Sequence, residues 1–153
     1  MYDFRTESKI LTIDAPITTV WSALTDLGRA RETLSHVVEA ELLTPGPFAK
    51  GTRWSEVRRW AGRTAARTMT VDVVGREEYV ASGTIGSTRC RLAYHLHPLG
   101  STRTTVIVNL HFEGSSHLAS SGRRRVPRWL GPEAVFTRLL GRDLVALARA
   151  ART

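Results

Sequence analysis

Apolar and polar residues alternate along most of this chain, and the period lengthens where helices are expected. Ile10-Leu11-Thr12-Ile13 alternates as a strand does. Ile17, Val20, Trp21 and Leu24 then recur at the i, i+3, i+4, i+7 spacing of a helix with one apolar face. Pro16 suits the first helical position, where an N–H would lack a partner in any case. Residues 28–34 allow a second short helical turn. Strand-period runs follow at 37–43, which Pro45-Gly46-Pro47 stops, and at 52–60, 63–74, 78–82, 89–97 and 102–112. Beyond a Ser/Gly-rich stretch at 114–130, Gly131-Pro132-Glu133 opens a terminal helix that runs to about residue 149.

The alternation also predicts which faces meet. Cys90, Leu92, Tyr94 and Leu96 share one face, and Val106, Val108, Leu110 and Phe112 share one face of the next strand. A one-residue slip would turn one of these rows to solvent. A three-residue loop, Leu99-Gly100-Ser101, sets Leu96 opposite Thr104, Tyr94 opposite Val106 and Leu92 opposite Val108. His95, His97 and His111 then lie on the other face, with His111 at the far end, so no metal site is expected there.

The earlier hairpin carries the candidate chemistry. A two-residue turn at Ala61-Gly62 pairs Trp54 with Met69 and Glu56 with Arg67. The inward face then holds Trp54, Glu56, Arg58 and Trp60 beside Arg67, Met69, Val71 and Val73. Charges on an apolar face are costly unless they are paired or wetted. In the terminal helix, Phe136, Leu139, Leu140, Leu144, Leu147 and Ala151 form a stripe opposite Arg138, Arg142, Arg149 and Arg152. Asp143 falls inside that stripe, and an inward arginine of the sheet is the candidate partner for its carboxylate.

Composition narrows the function classes. A chain of 153 residues with 42% hydrophobic content predicts one domain, 1–153, with a substantial core. It has no apolar run of membrane-spanning length, and its first residues lack a signal-peptide core, so a cytoplasmic location is the default. Cys90 is the only cysteine, which excludes an internal disulfide or a cysteine-based zinc site; it reads as a small core residue. No Ser-His-Asp spacing, glycine-rich phosphate loop or HExxH motif is present, and no cofactor or metal is implied. His36 follows the first helices and reads as a surface or capping residue, or as one at a cavity mouth.

The net charge of +8 comes mostly from scattered arginines. Arg123, Arg124 and Arg125 with Arg128 form the one dense cluster. No aromatic-interleaved strand or helix-turn-helix pattern accompanies it, so nucleic acid is not the expected partner. The cluster reads as a solvated lid, closed by Val126, Trp129 and Leu130, or as a docking segment for an anionic partner.

The order of these elements resembles the START-like, or SRPBCC, superfamily. The resemblance is carried by Ile13-Asp14-Ala15-Pro16 with residues 20–26, Gly51-Thr52-Arg53-Trp54, residues 94–100 leading into 102–106, and the terminal helix. It implies an α+β helix-grip fold: a curved seven-stranded antiparallel sheet around a long C-terminal helix, with one or two short helices between strands 1 and 2. It also implies a hydrophobic cavity between sheet and helix. The superfamily hosts lipid carriers, hormone receptors, cyclases and stress proteins, so the fold alone does not choose among them. Trp54, Arg58 and Trp60 on one inward strand resemble the bacterial polyketide aromatase/cyclase branch, in which a cavity arginine polarises a substrate carbonyl. Here Glu56 stands between Trp54 and Arg58, where it is placed to neutralise the arginine.

The expected function is binding of a hydrophobic or amphipathic small molecule, lipid- or polyketide-like. Trp54, Met69, Val71, Val108 and Leu140 would wall the site, and Glu56, Arg58, Arg67, Asp143 and Tyr94 would orient a polar group. The alternative is a cyclase, aromatase or dehydratase in which Arg58 stabilises a carbonyl oxygen and Glu56 or Asp143 accepts a proton. Beside both stands a structural reading, in which Glu56–Arg67 and Asp143–Arg58 are ion pairs of the core.

Overall fold

The computed structural model describes residues 5–113 and 131–152. The arginine cluster at 123–128 and the lid residues Val126, Trp129 and Leu130 lie outside the described residues. The strands are β1 (Arg5–Ile13), β2 (Val37–Leu42), β3 (Arg53–Trp60), β4 (Arg63–Val74), β5 (Glu78–Ile85), β6 (Thr88–Leu99) and β7 (Arg103–Phe112). Between β1 and β2 lie helix α1 (Ile17–Thr25), a 3-10 turn (Leu27–Arg29) and the one-turn helix α2 (Ala30–Thr33); α3 (Pro132–Arg152) follows the sheet. All strands join one antiparallel sheet in the order β1-β7-β6-β5-β4-β3-β2. This meander, with β1 returning to pair β7 and α3 laid across the concave face, is the helix-grip fold.

Two bulges interrupt the sheet's register, and one glycine lets two of its strands close in. Register shifts fall between Val37 and Glu39 in β2 and between Val71 and Val73 in β4. An extra residue on one strand sharpens local twist and bend. It also explains a departure from the expected pattern: Val73, placed inward by strict alternation, is 51% exposed because the bulge resets the period after Val71. At Gly83 in β5, an added Cβ would lie 1.8 Å from the Thr68 carbonyl oxygen, so only glycine lets β4 approach this closely.

The β3–β4 hairpin follows its expected register, with Trp54 opposite Met69 and Glu56 opposite Arg67. Ala61 and Gly62 both take positive φ, 51° and 77°, as a two-residue turn with right-handed strand twist requires. The β6–β7 hairpin keeps its expected faces but slides by two residues. Leu96 faces Val106, Tyr94 faces Val108 and Leu92 faces Leu110. The loop is Gly100-Ser101-Thr102, because β6 continues through Leu99 and Gly100 takes the left-handed φ of 70° as the first loop residue.

Helix α1 buries Val20, Ala23 and Leu24; Pro16 occupies its N-cap, one position earlier than expected, and Trp21 is half-buried. Helix α3 buries Phe136, Leu139, Leu140, Asp143, Leu144 and Leu147 against the sheet. Fully burying each such apolar side chain contributes about 1.5–3 kcal/mol. Cys90 packs in this core with its Sγ 3.7 Å from Met69 Sδ. No helix among the described residues is long and apolar enough to cross a membrane.

Candidate functional site

The candidate site is assembled from five elements. Alternation on β3 turns Trp54, Glu56 and Arg58 inward, and β4 does the same for Arg67, Met69 and Val71. Tyr94 comes from β6 and Val108 from β7, while α3 supplies Leu140 and Asp143. All ten residues are 4% exposed or less. Val71, Val108 and Leu140 belong to the continuous apolar core, as do Trp54 and Met69.

The four ionised residues meet directly. Arg58 grips Asp143 with both terminal nitrogens, Nη1 to Oδ1 at 2.8 Å and Nη2 to Oδ2 at 3.1 Å. Such a two-pronged guanidinium–carboxylate contact is the strong form of an ion pair. Arg58 Nη2 also reaches Glu56 Oε1 at 3.4 Å, and Arg67 donates to the same oxygen through Nε and Nη2. Two acids and two arginines thus form a charge-neutral chain, Arg67–Glu56–Arg58–Asp143. Phe136 of α3 lies against both guanidinium groups, its ring centroid 4.6 Å from Arg67 Cζ and 5.5 Å from Arg58 Cζ.

Ser35, in the connection from α2 to β2, completes the network and carries no motif that announces it. Its backbone N–H and hydroxyl donate to Asp143 Oδ1 at 3.0 and 2.8 Å, and its carbonyl accepts from Arg58 Nη1 at 3.0 Å. The next residue, His36, takes a left-handed φ of 55° and sets its ring edge-on to Trp60 at 5.3 Å. His36 is exposed and outside the network, and half-buried Trp60 lies under Arg142, whose Cζ is 4.5 Å from the ring. Tyr79 is a second residue that motif reading passes over. It stacks on Tyr94 at 5.3 Å and meets Phe48 and Trp21 edge-on. Its inward position on β5 was readable from the Tyr79, Ala81 alternation.

Burial and charge shift the ionisations in opposite senses. Burial pushes the Glu56 carboxyl up, but Arg67 and Arg58 together outweigh it and hold the group below its ordinary value. Burial likewise weakens the charged form of Arg58, and Glu56 and Asp143 more than restore it. Burial raises Tyr79 and Tyr94, with Asp143 adding to the rise at Tyr94, so both phenols stay protonated. Among the described residues, neither phenol hydroxyl has a hydrogen-bond partner. Two buried atoms of the network also lack one, Glu56 Oε2 and Arg58 Nε.

No curated protein matches the chain in sequence. In the solved structures, the Zhui aromatase/cyclase of Streptomyces sp. R1128 is 21% identical, covers 98% of this chain and 94% of its own, and superposes with a TM-score of 0.75. A START superfamily protein of Mycobacterium smegmatis is 17% identical over 95% and 92% of the two chains, with a TM-score of 0.67. Norcoclaurine synthase of Thalictrum flavum, in complex with dopamine and hydroxybenzaldehyde, is 12% identical over 97% and 86%, with a TM-score of 0.66. At these identities the likeness is one of fold. Residues 4–152 match the family described as polyketide cyclase / dehydrase and lipid transport, and with nearly its whole length so matched the chain belongs to that family, within the START-like superfamily.

Proposed function

We propose that the chain binds a hydrophobic or amphipathic small molecule, lipid- or polyketide-like, between the concave sheet and α3. The observation that carries this reading is the neutral four-residue network closed off from water, with one carboxylate oxygen and one guanidinium N–H left without partners. A core of the same volume built from apolar residues is commonly as stable or more so. Buried polar atoms without partners are rare and costly. A ligand that brings an acceptor to Arg58 Nε and a donor to Glu56 Oε2 satisfies both. The unengaged hydroxyls of Tyr79 and Tyr94 offer two further donors beside an aromatic wall. Because all ten proposed contact residues are shielded, entry requires the helix–sheet seam to open.

A cyclase-type reading draws on one feature, the free lone pair at Glu56 Oε2. The same geometry weighs against it. Both oxygens of Asp143 are engaged, and both terminal nitrogens of Arg58 already carry carboxylates. Glu56 is held ionised by two arginines, which makes it a poor proton acceptor. The network is therefore suited to orienting a bound molecule more than to moving a proton.

The test is native mass spectrometry of freshly purified chain, together with tryptophan fluorescence titrations using oleate and 1-naphthol. A retained small molecule, or saturable quenching weakened by Glu56→Gln, is the expected result. Repeated recovery of ligand-free chain with no response to either probe overturns the proposal.

A further inference from the structure

A second place on the molecule is built as a binding site, and it lies outside the network. Between β1 and α3 runs a groove of about 450 Å³, within the range of small-molecule sites, roughly 300–1,000 Å³. Glu7 and Lys9 of β1 pair with Leu110 and Val108, whose side chains are fully buried on the concave face. Directly opposed residues share a face, so this end of the strand turns charges toward the helix where Leu11 and Ile13 turn core residues.

Two features of the groove are not explained by folding. Gly141 sits in the middle of α3, where glycine is the poorest ordinary helix former. Nothing crowds it: an added Cβ would meet only the Lys9 stem, at 3.8–4.0 Å. Packing therefore does not require glycine here, and the space it leaves is the groove. Four residues earlier, on the same helical face, Thr137 Oγ1 is buried without a partner. Thr137 is itself one of the residues that line the groove, and a helical threonine has two accessible χ1 wells for its hydroxyl. The charges complete the pattern. Lys9, Arg138 and Arg142 line the groove against one carboxylate, Glu7, and Val145, 45% exposed, supplies an apolar wall.

We infer that this groove binds an amphipathic anion, a carboxylate or phosphate group carried on a short apolar chain. The head group lies between Lys9 and Arg138 and accepts from Thr137. The chain runs past Gly141 to Val145. Arg142, whose guanidinium stacks on Trp60, contributes charge without leaving that ring.

The experiment is amide NMR of the full chain titrated with octanoate, octyl phosphate and inorganic phosphate. The expected result is saturable shifts at Lys9, Thr137 and Gly141 with octanoate or octyl phosphate. Preference for octanoate identifies a fatty-acyl source, and preference for octyl phosphate a phosphoester head group. Loss of one charge-assisted contact in Lys9→Gln weakens binding about tenfold. Gly141→Leu fills the groove and abolishes binding, and Gly141→Ala, the milder change, weakens it. Inorganic phosphate binding as tightly as octyl phosphate overturns the inference, because a bare charge patch would behave so. Unaltered affinity in the Gly141 variants, or shifts confined to residues around Arg58 and Tyr94, also overturns it. Neither result touches the proposal for the interior network, which oleate and 1-naphthol test separately.

Discussion

Replacing Asp143 with asparagine changes almost no volume and removes the one charge that answers Arg58 from α3. The carboxylate accepts from Ser35 N–H at 3.0 Å, Ser35 Oγ at 2.8 Å, Arg58 Nη1 at 2.8 Å and Arg58 Nη2 at 3.1 Å. Whichever way the new amide turns, its NH₂ group faces a donor. The network is left with two arginines against Glu56 alone, one uncompensated positive charge in a closed core. Removing one member of a buried ion pair costs about 3–5 kcal/mol, a large share of a domain's usual stability of about 5–15 kcal/mol. With a urea dependence of about 2 kcal/mol per molar, the unfolding midpoint followed by circular dichroism drops by about 1.5–2.5 M. A double-mutant cycle isolates the pair. Arg58→Met and Asp143→Leu each strand a charge, whereas the double variant leaves Glu56 matched to Arg67 and loses far less than the sum. A coupling of about 2 kcal/mol or more is expected. Additivity within about 0.5 kcal/mol, or an Asp143→Asn variant as stable as the parent, would refute the reasoning.

Three further outcomes follow from the same structure. Glu56 has a folded-state pKa below its unfolded value, so its contribution to stability is present above the unfolded pKa and is lost as pH falls through the folded one; urea unfolding between neutral pH and about pH 3 should show a fall that Glu56→Gln flattens, and identical profiles would contradict this. Gly83→Ala forces a Cβ against the Thr68 backbone carbonyl at 1.8 Å, with no flexible side-chain end to yield; a loss of about 3 kcal/mol or more is expected in thermal unfolding, and an unchanged midpoint would show that β4 and β5 can separate freely. Burial pushes the Cys90 thiol up despite the opposing pull of Arg67; an aromatic disulfide reagent should label it slowly in the native chain and promptly in denaturant, and rapid native labelling would refute its packing against Met69.

What could be read from the sequence depended on whether a local feature fixed the offset. In the β3–β4 hairpin the two-residue Ala61-Gly62 turn leaves one register, so Glu56 opposite Arg67 was legible in the sequence. Asp143 was readable in the same way, because 100° per residue puts it among Leu139, Leu140 and Leu147. The β6–β7 hairpin shows the limit. Its hydrophobic rows repeat every two residues, so a two-residue slide preserves every face and changes every pair. The offset was decided by Gly100 taking the left-handed conformation at the start of the loop instead of its middle. The bulge after Val71 was invisible for a related reason: an inserted residue leaves no mark on composition, only on the faces beyond it.

Ser35 was out of reach for a deeper reason, and it shows what the site is made of. Two of its three contacts use backbone groups, an N–H that donates to Asp143 and a carbonyl that accepts from Arg58, and every residue but proline has both; the third is its hydroxyl, which also donates to Asp143. What selects it is position: α2 ends at Thr33, β2 begins at Val37, and the connection between them must pass the end of the Arg58–Asp143 pair. Asp143 therefore joins three parts of the fold: its own helix, the β3 strand that carries Arg58, and the α2–β2 connection. A charge network that tied sheet to helix alone would have to break for the seam to open. This network also holds the α2–β2 connection, through three hydrogen bonds of Ser35. The network thus ties helix, sheet and connection into one buried junction.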